Sequence, residues 1–178
     1  MTPKLVVIAV VLRKHPKYGI QVHTQTRNVL DLDYDPYYGN TLETVGETVK
    51  PEENVIAAVV RGCQEELGNL DLEPVIIGDQ GTIFTTRYDD QILGFQPYYF
   101  TQQLKGPQPW VGPTFIVVVP PEFEPQQDTE SETSAHQWWG PQELLDQLLN
   151  QPQNFMGLHY PALIKATQDL LSGALRIP

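Results

Sequence analysis

Glu65 and Glu66 stand side by side in the stretch Arg61-Gly62-Cys63-Gln64-Glu65-Glu66-Leu67-Gly68, and Glu53 precedes it. Adjacent carboxylates repel unless water or a cation neutralises them. Hard oxygen donors on a helix suit magnesium or manganese, which can bridge phosphate oxygens at the same time. Offsets of three and four return to one side of a helix, so positions 62, 65 and 66 are neighbours there. A carboxylate at 62 would complete a metal-binding set, but the residue is Gly62. Taken alone, the helix is read more readily as a solvated end, and Arg61 fits an ordinary i,i+4 pair with Glu65 as well as a positioned ligand.

Other chemistries lack their residues. His15, His23, His136 and His159 are scattered, and Cys63 is the single cysteine, so zinc ligation and an intrachain disulfide are both unsupported. No Gly-x-Gly-x-x-Gly, Walker-type loop or Gly-x-Ser-x-Gly elbow occurs. A net charge of -11 gives no basic surface for a nucleic-acid polymer or an anionic membrane. A phosphate compound needs only a divalent cation and a few local cations, for which Arg27 and Arg87 are candidates. Tyr34, Tyr37, Tyr38, Tyr98, Phe100 and Trp110 offer flat faces for a base, with packing as the ordinary alternative.

The elements that must position these residues follow from patterning. Leu5–Leu12 is an unbroken β-branched apolar run, which suits a strand buried on both faces. Ile20–Thr26 alternates Ile20, Val22 and Thr24 against Gln21, His23 and Gln25, and reads as its hairpin partner. Asp31–Asn40 is a loop. Glu53–Leu67 reads as a helix with Val55, Ile56, Ala58, Val59 and Cys63 on its apolar face, Pro51 to Glu53 at its start and Gly68 after its end.

Short strands are expected at Val75–Ile77, Gly81–Thr86, Phe95–Thr101, Thr114–Val119 and His136–Trp139, with the proline-rich Lys105–Pro113 outside any ladder. Pro141 opens a helix striped by Leu144, Leu145, Leu148 and Leu149, and a last helix covers Ala162–Leu171. Together these imply one domain over 178 residues, a mixed sheet with helices on its faces, in a soluble cytoplasmic protein. Apolar patterning does not distinguish a core face from a homodimer interface.

The segment from Val45 to Gly68 resembles the Nudix signature, a loop-helix-loop running from a glycine, over five residues, to Glu, then over seven to Arg-Glu, an aliphatic, any residue, Glu-Glu, any residue and Gly. With Arg61 on the arginine, Glu53, Glu65, Glu66 and Gly68 fall on their positions. Glu47 then stands where the glycine should be and Gly62 where the first helix glutamate should be. The resemblance implies an α/β/α sandwich and a single Nudix-like domain with a C-terminal helix at about 161–172.

It also implies Mg2+ or Mn2+ as cofactor, and hydrolysis of a pyrophosphate bond in a small nucleoside diphosphate derivative. Glu65 and Glu66 would hold metal, Arg61 would position Glu53, and backbone groups of Glu47–Val49 would cradle phosphate. Gly62 leaves three outcomes: slow hydrolysis with fewer ions, a borrowed carboxylate, or a weak or inactive domain that binds or senses a nucleotide-like ligand. Glu130, as a metal ligand, and Glu132, as a catalytic carboxylate, are the donors expected from the late loop.

Overall fold

The computed structural model describes residues 2–30, 37–106, 108–128 and 130–178. The first apolar run forms β1 (Lys4–His15), and both its sides are dry. Val6, Ile8, Val10 and Leu12 enter one core, while Val7, Ala9 and Val11 enter another. β2 (Gly19–Arg27) folds back antiparallel on β1, with Leu12 opposite Val22. β3 (Leu42–Glu43) pairs with β2, β4 (Val45–Thr48) pairs with β1, and α1 (Val55–Glu66) follows. The remaining order is β5 (Val75–Ile77), β6 (Thr82–Thr85), β7 (Gln91–Gly94), β8 (Tyr99–Gln102), β9 (Trp110–Val118), β10 (Thr133–Trp139), α2 (Pro141–Asn150) and α3 (Tyr160–Ser172).

Among the described residues, eight strands make one sheet in the order β10-β2-β1-β9-β5, with β3, β4 and β8 attached to β2, β1 and β9, and β6 and β7 form a separate hairpin. The sheet is mixed because β9 runs parallel to β1 between otherwise antiparallel neighbours. On one face, Val55, Ala58, Val59 and Cys63 of α1 pack with Val45 and Phe115. On the other, Leu144 and Leu148 of α2 and Ala162, Leu163 and Ala166 of α3 pack with β1 and Ile116. The outcome is the expected α/β/α sandwich with a mixed sheet. Among the described residues no helix is long and apolar enough to cross a membrane.

Several local expectations change: β3, β4 and β7 were not expected, and the strand expected at Phe95–Thr101 runs over Tyr99–Gln102. Helix α1 begins after Glu53, because Asn54 is its cap and its side chain accepts the Ile56 N–H at 2.8 Å. β9 begins at Trp110, inside the segment whose prolines argued against a ladder. Its pairing with β1 stops at Leu5 opposite Val111 and resumes at Ile8 opposite Thr114, so Pro113, which has no N–H, falls in the gap. The leucine stripe of α2 is narrower than expected, since Leu149 faces solvent.

Candidate functional site

Arg61 gathers three carboxylates at the start of the last turns of α1. Its Nε and Nη2 each donate to Glu53 at 2.9 Å, and Nη1 lies 2.9 Å from Glu47 and 3.4 Å from Glu65. Nη2 also donates to the Thr48 carbonyl at 3.1 Å, which ties the helix to β4. The two-pronged grip on Glu53 matches the guanidinium fork. That bonding, helped by the Lys50 N–H, holds the Glu53 carboxyl down at about 2.

Glu66 lies behind this group and is buried. Its carboxylate accepts from the Gln25 side-chain amide and, at 3.4 Å, from the Gly46 N–H. Burial pushes its carboxyl well above the usual range, the charge of Glu43 adds most to that, and Glu47 and Asp128 push the same way against the Gln25 bond. Gln25 is fully buried, and its Oε1 has no hydrogen-bond partner among the described residues. A buried acid in a negative field, bonded to an amide with an orphan acceptor, is a combination that a cation relieves. The donors are all oxygens, as magnesium or manganese prefers.

Gly62 sits one turn before Glu66 and costs about 1 kcal/mol against alanine in a helix interior. Space explains it. A Cβ built on Gly62 would stand 2.9 Å from the Cβ of Glu47 and 3.4 Å from Val45 Cγ1. Strand alternation aims Val45 and Glu47 at α1, with Glu47 opposite Val7 in the ladder. The side chain filling the gap left by Gly62 is therefore that of Glu47. Burial raises the Glu47 carboxyl above its usual range despite the Arg61 bond. The open backbone cradle expected at Glu47–Val49 does not form, because Glu47 is in the β1–β4 ladder and the Val49 N–H donates to the Leu5 carbonyl at 3.0 Å.

These groups border a cavity of about 480 Å³. Arg61, Glu65, Glu47 and Glu43 line it from the sheet and helix, and Glu130 and Glu132 from the loop before β10. Asp128 holds that loop, accepting from the N–H of Glu130 at 2.8 Å and from the N–H of Thr133 at 2.9 Å. Lys4, Arg27 and Lys50 supply positive charge at the rim, and Trp110 supplies a flat face. Of the predicted site residues, Arg61, Glu65, Glu130 and Glu132 meet at this cavity, Glu66 lies beneath it, and Glu53 reaches it through Arg61. Among the described residues no three acidic, histidine or cysteine side chains close on one metal position, since Glu47, Glu53 and Glu65 turn toward Arg61.

The other candidates separate cleanly. Tyr38 stacks on Trp110 with ring centroids 6.1 Å apart, whereas Tyr98 bonds Asp169 of α3, and Tyr37 and Phe100 are exposed. Arg87 lies against Tyr88 away from the cavity. Tyr34 lies outside the described residues. Cys63 is buried, and burial raises its thiol, so it packs as an apolar residue.

Several contributors were not singled out from sequence, among them Lys4, Lys50, Gln25, Glu43 and His159. Gln25 and Glu43 face each other across β2 and β3; Gln25 lay on the polar side of the alternating strand, and no strand was expected at Glu43. His159 lines the cavity just before α3, and its Nδ1 accepts the Thr44 N–H at 3.2 Å. Its neutral ring therefore carries the proton on Nε2, which passes so close to β4 that a Cβ on Gly46 would stand 2.6 Å from it.

Comparison with known proteins returns the NUDIX domain model over residues 2–157. No curated protein sequence matches. A structure from Jonesia denitrificans, described as a possible asymmetric diadenosine tetraphosphate hydrolase, superposes with a TM-score of 0.62 at 20% identity, covering 100% of this chain and 99% of that one. A NUDIX hydrolase from Alicyclobacillus acidocaldarius gives 0.62 at 12% identity, covering 98% and 97%. The NUDIX domain of Shewanella oneidensis NrtR complexed with ADP ribose gives 0.58 at 13% identity, covering 96% and 90%. At these identities the likeness carries the fold.

Proposed function

The chain belongs to the NUDIX domain family, and from that premise we propose that it hydrolyses a pyrophosphate bond in a nucleoside diphosphate derivative with magnesium or manganese. The observation that carries this reading is Glu66, a buried acid among Glu43, Glu47 and Asp128 whose only side-chain donor among the described residues is Gln25. Glu65 and Glu66 would hold the cation, with Glu130 as the ligand from the loop. A divalent ion there would polarise the phosphate oxygens and neutralise charge gathering on them in the transition state.

The remaining roles belong to the chain itself. Arg61 holds Glu53 in a fixed carboxylate form and keeps α1 against β4 through Thr48. Glu132 faces the cavity and accepts the proton of an attacking water. Lys4, Arg27 and Lys50 meet the phosphates, and Trp110, stacked by Tyr38, offers a rigid face to a base. Substrates of this class include nucleoside triphosphates, nucleotide sugars and dinucleoside polyphosphates.

Phosphate release from that panel, with magnesium and with manganese and a coupled phosphatase, tests the reading. The Glu65→Gln/Glu66→Gln variant should lose at least about a hundredfold in rate, the upper end of what losing support for a metal site costs. Equal release by folded wild type and variant would end it. The grip of three carboxylates on Arg61 favours a second reading, a domain that binds such a ligand without cleaving it. A ligand-dependent rise in Tm with no release on any substrate identifies that case.

A further inference from the structure

We infer that Glu47 is a metal ligand of this site, a carboxylate delivered from β4 through the space that Gly62 leaves open on α1. The inference rests on the metal-dependent reading above and assigns the donor that helix α1 itself lacks. Positions 47 and 62 compete for one volume. A Cβ on Gly62 would stand 2.9 Å from Glu47 Cβ and 3.5 Å from its Cγ, so only one of the two positions can carry a long side chain into the gap. The glycine serves no backbone need, since it lies mid-helix without a positive φ. It also gives up helix propensity, so the space it opens is its evident return.

What enters that space is an acid, held in a fixed direction. The β1–β4 ladder sets Glu47 opposite Val7 and turns its side chain to the same side as Val45, which packs under α1. Entering beside residue 62, one turn from Glu65 and Glu66, the stem of Glu47 takes the volume that a side chain from 62 would need, and its carboxylate lies against Arg61. One nitrogen, Arg61 Nη1, lies 2.9 Å from Glu47 and 3.4 Å from Glu65, so the two acids are already gathered around one positive charge.

A second observation points to a ligand here independently of the acids. Gln25 is fully buried against Glu66, and its Oε1 lacks a hydrogen-bond partner among the described residues. A hard cation held by Glu66 would place a positive charge beside the amide that Glu66 already bonds, and so beside its unpaired oxygen.

The exchange of side chains makes the test reciprocal. Mn2+ affinity is measured by titration calorimetry and by loss of the free-ion EPR signal, in wild type, Glu47→Gln, Glu47→Gly, the double variant Glu47→Gly/Gly62→Glu, and Glu66→Gln. Circular dichroism checks the fold of each. Glu47→Gln and Glu47→Gly should each bind Mn2+ at least about tenfold more weakly, and the double variant should return to within about threefold of wild type. Unchanged affinity in Glu47→Gln or Glu47→Gly while Glu66→Gln loses it would overturn the assignment and leave the metal-dependent reading standing. A double variant no tighter than Glu47→Gly would overturn the exchange. Wild type that binds no Mn2+ would remove both.

The competition for space is also read without metal. Gly62→Ala should lower Tm in the wild-type background and raise it in the Glu47→Gly background. An equal shift in both backgrounds would show that the two side chains do not share the gap.

Discussion

Two arginines, Arg13 and Arg61, anchor opposite regions of the same helix-covered face, and their surroundings differ in sign. Arg13 is 4% exposed, donates to Gln21, to the Phe123 carbonyl and to Glu124, and lies 4.1 Å over the Trp138 ring. Its carboxylate partner Glu124 is 67% exposed, so the cation is the buried party and water completes the pair. Arg61 is 20% exposed and shares itself among Glu47, Glu53 and Glu65. There the acids outnumber the cation. The first cluster is closed; the second carries excess negative charge beside a cavity, where the proposed cation would sit.

That contrast can be broken by deleting each arginine. Arg13→Ala should lower unfolding free energy by about 3 kcal/mol, from lost packing on Trp138 and stranded acceptors, and Mn2+ should add nothing beyond its effect on wild type. Arg61→Ala should cost less, about 1–2 kcal/mol, because partly exposed pairs are screened, and Mn2+ should restore most of it. Chemical denaturation with and without the ion measures both. Equal rescue of the two variants would erase the distinction.

Histidines sharpen it through pH. Burial, with the nearby Arg27 charge adding to it, holds His159 at about 3, below its ordinary 6.5. The unfolded chain takes up that proton first, so the contribution of His159 is full above pH 6.5 and is lost as pH falls toward 3. His159→Gln should therefore flatten the acid limb of stability, while His23, depressed first by burial and then by His136 and Arg13, keeps its own share. An unchanged limb would exclude His159 as a source of acid lability. The smallest effect belongs to Glu124→Gln, below about 0.5 kcal/mol, because that carboxylate is mostly in water.

Much of the architecture was legible because it rests on periodicity. The run at β1, the alternation of β2 and the apolar stripes of the helices each state their burial. The α1 boundary was missed because Asn54 caps by a local side-chain bond that competes with the equally plausible Pro51–Glu53 start. β9 was shortened because a proline forbids a ladder only where its N–H is required. At the site, Arg61, Glu65, Glu130 and Glu132 could be named from spacing and resemblance. Glu47 was taken as a departure from a glycine, and Gly62 as a missing acid. That the two departures face each other is a fact of strand-to-helix packing, which one dimension does not display. Gln25 hid in the same way, since an alternating strand does not state whether its polar side meets water or a helix end.

The parallel pairing of β1 with β9 also governs how the molecule is assembled in time. The β1–β2 hairpin is local and can close early, but the cavity walls come from Glu47, Trp110, Glu132 and His159, which are far apart along the chain. Such contacts form only after large loops have closed, the circumstance that slows folding most. A chain growing from the ribosome therefore has both strands of its hairpin long before it has the residues of its pocket. The wall that His159 supplies beside Gly46, on the side of β4 away from α1, is therefore the last to be made.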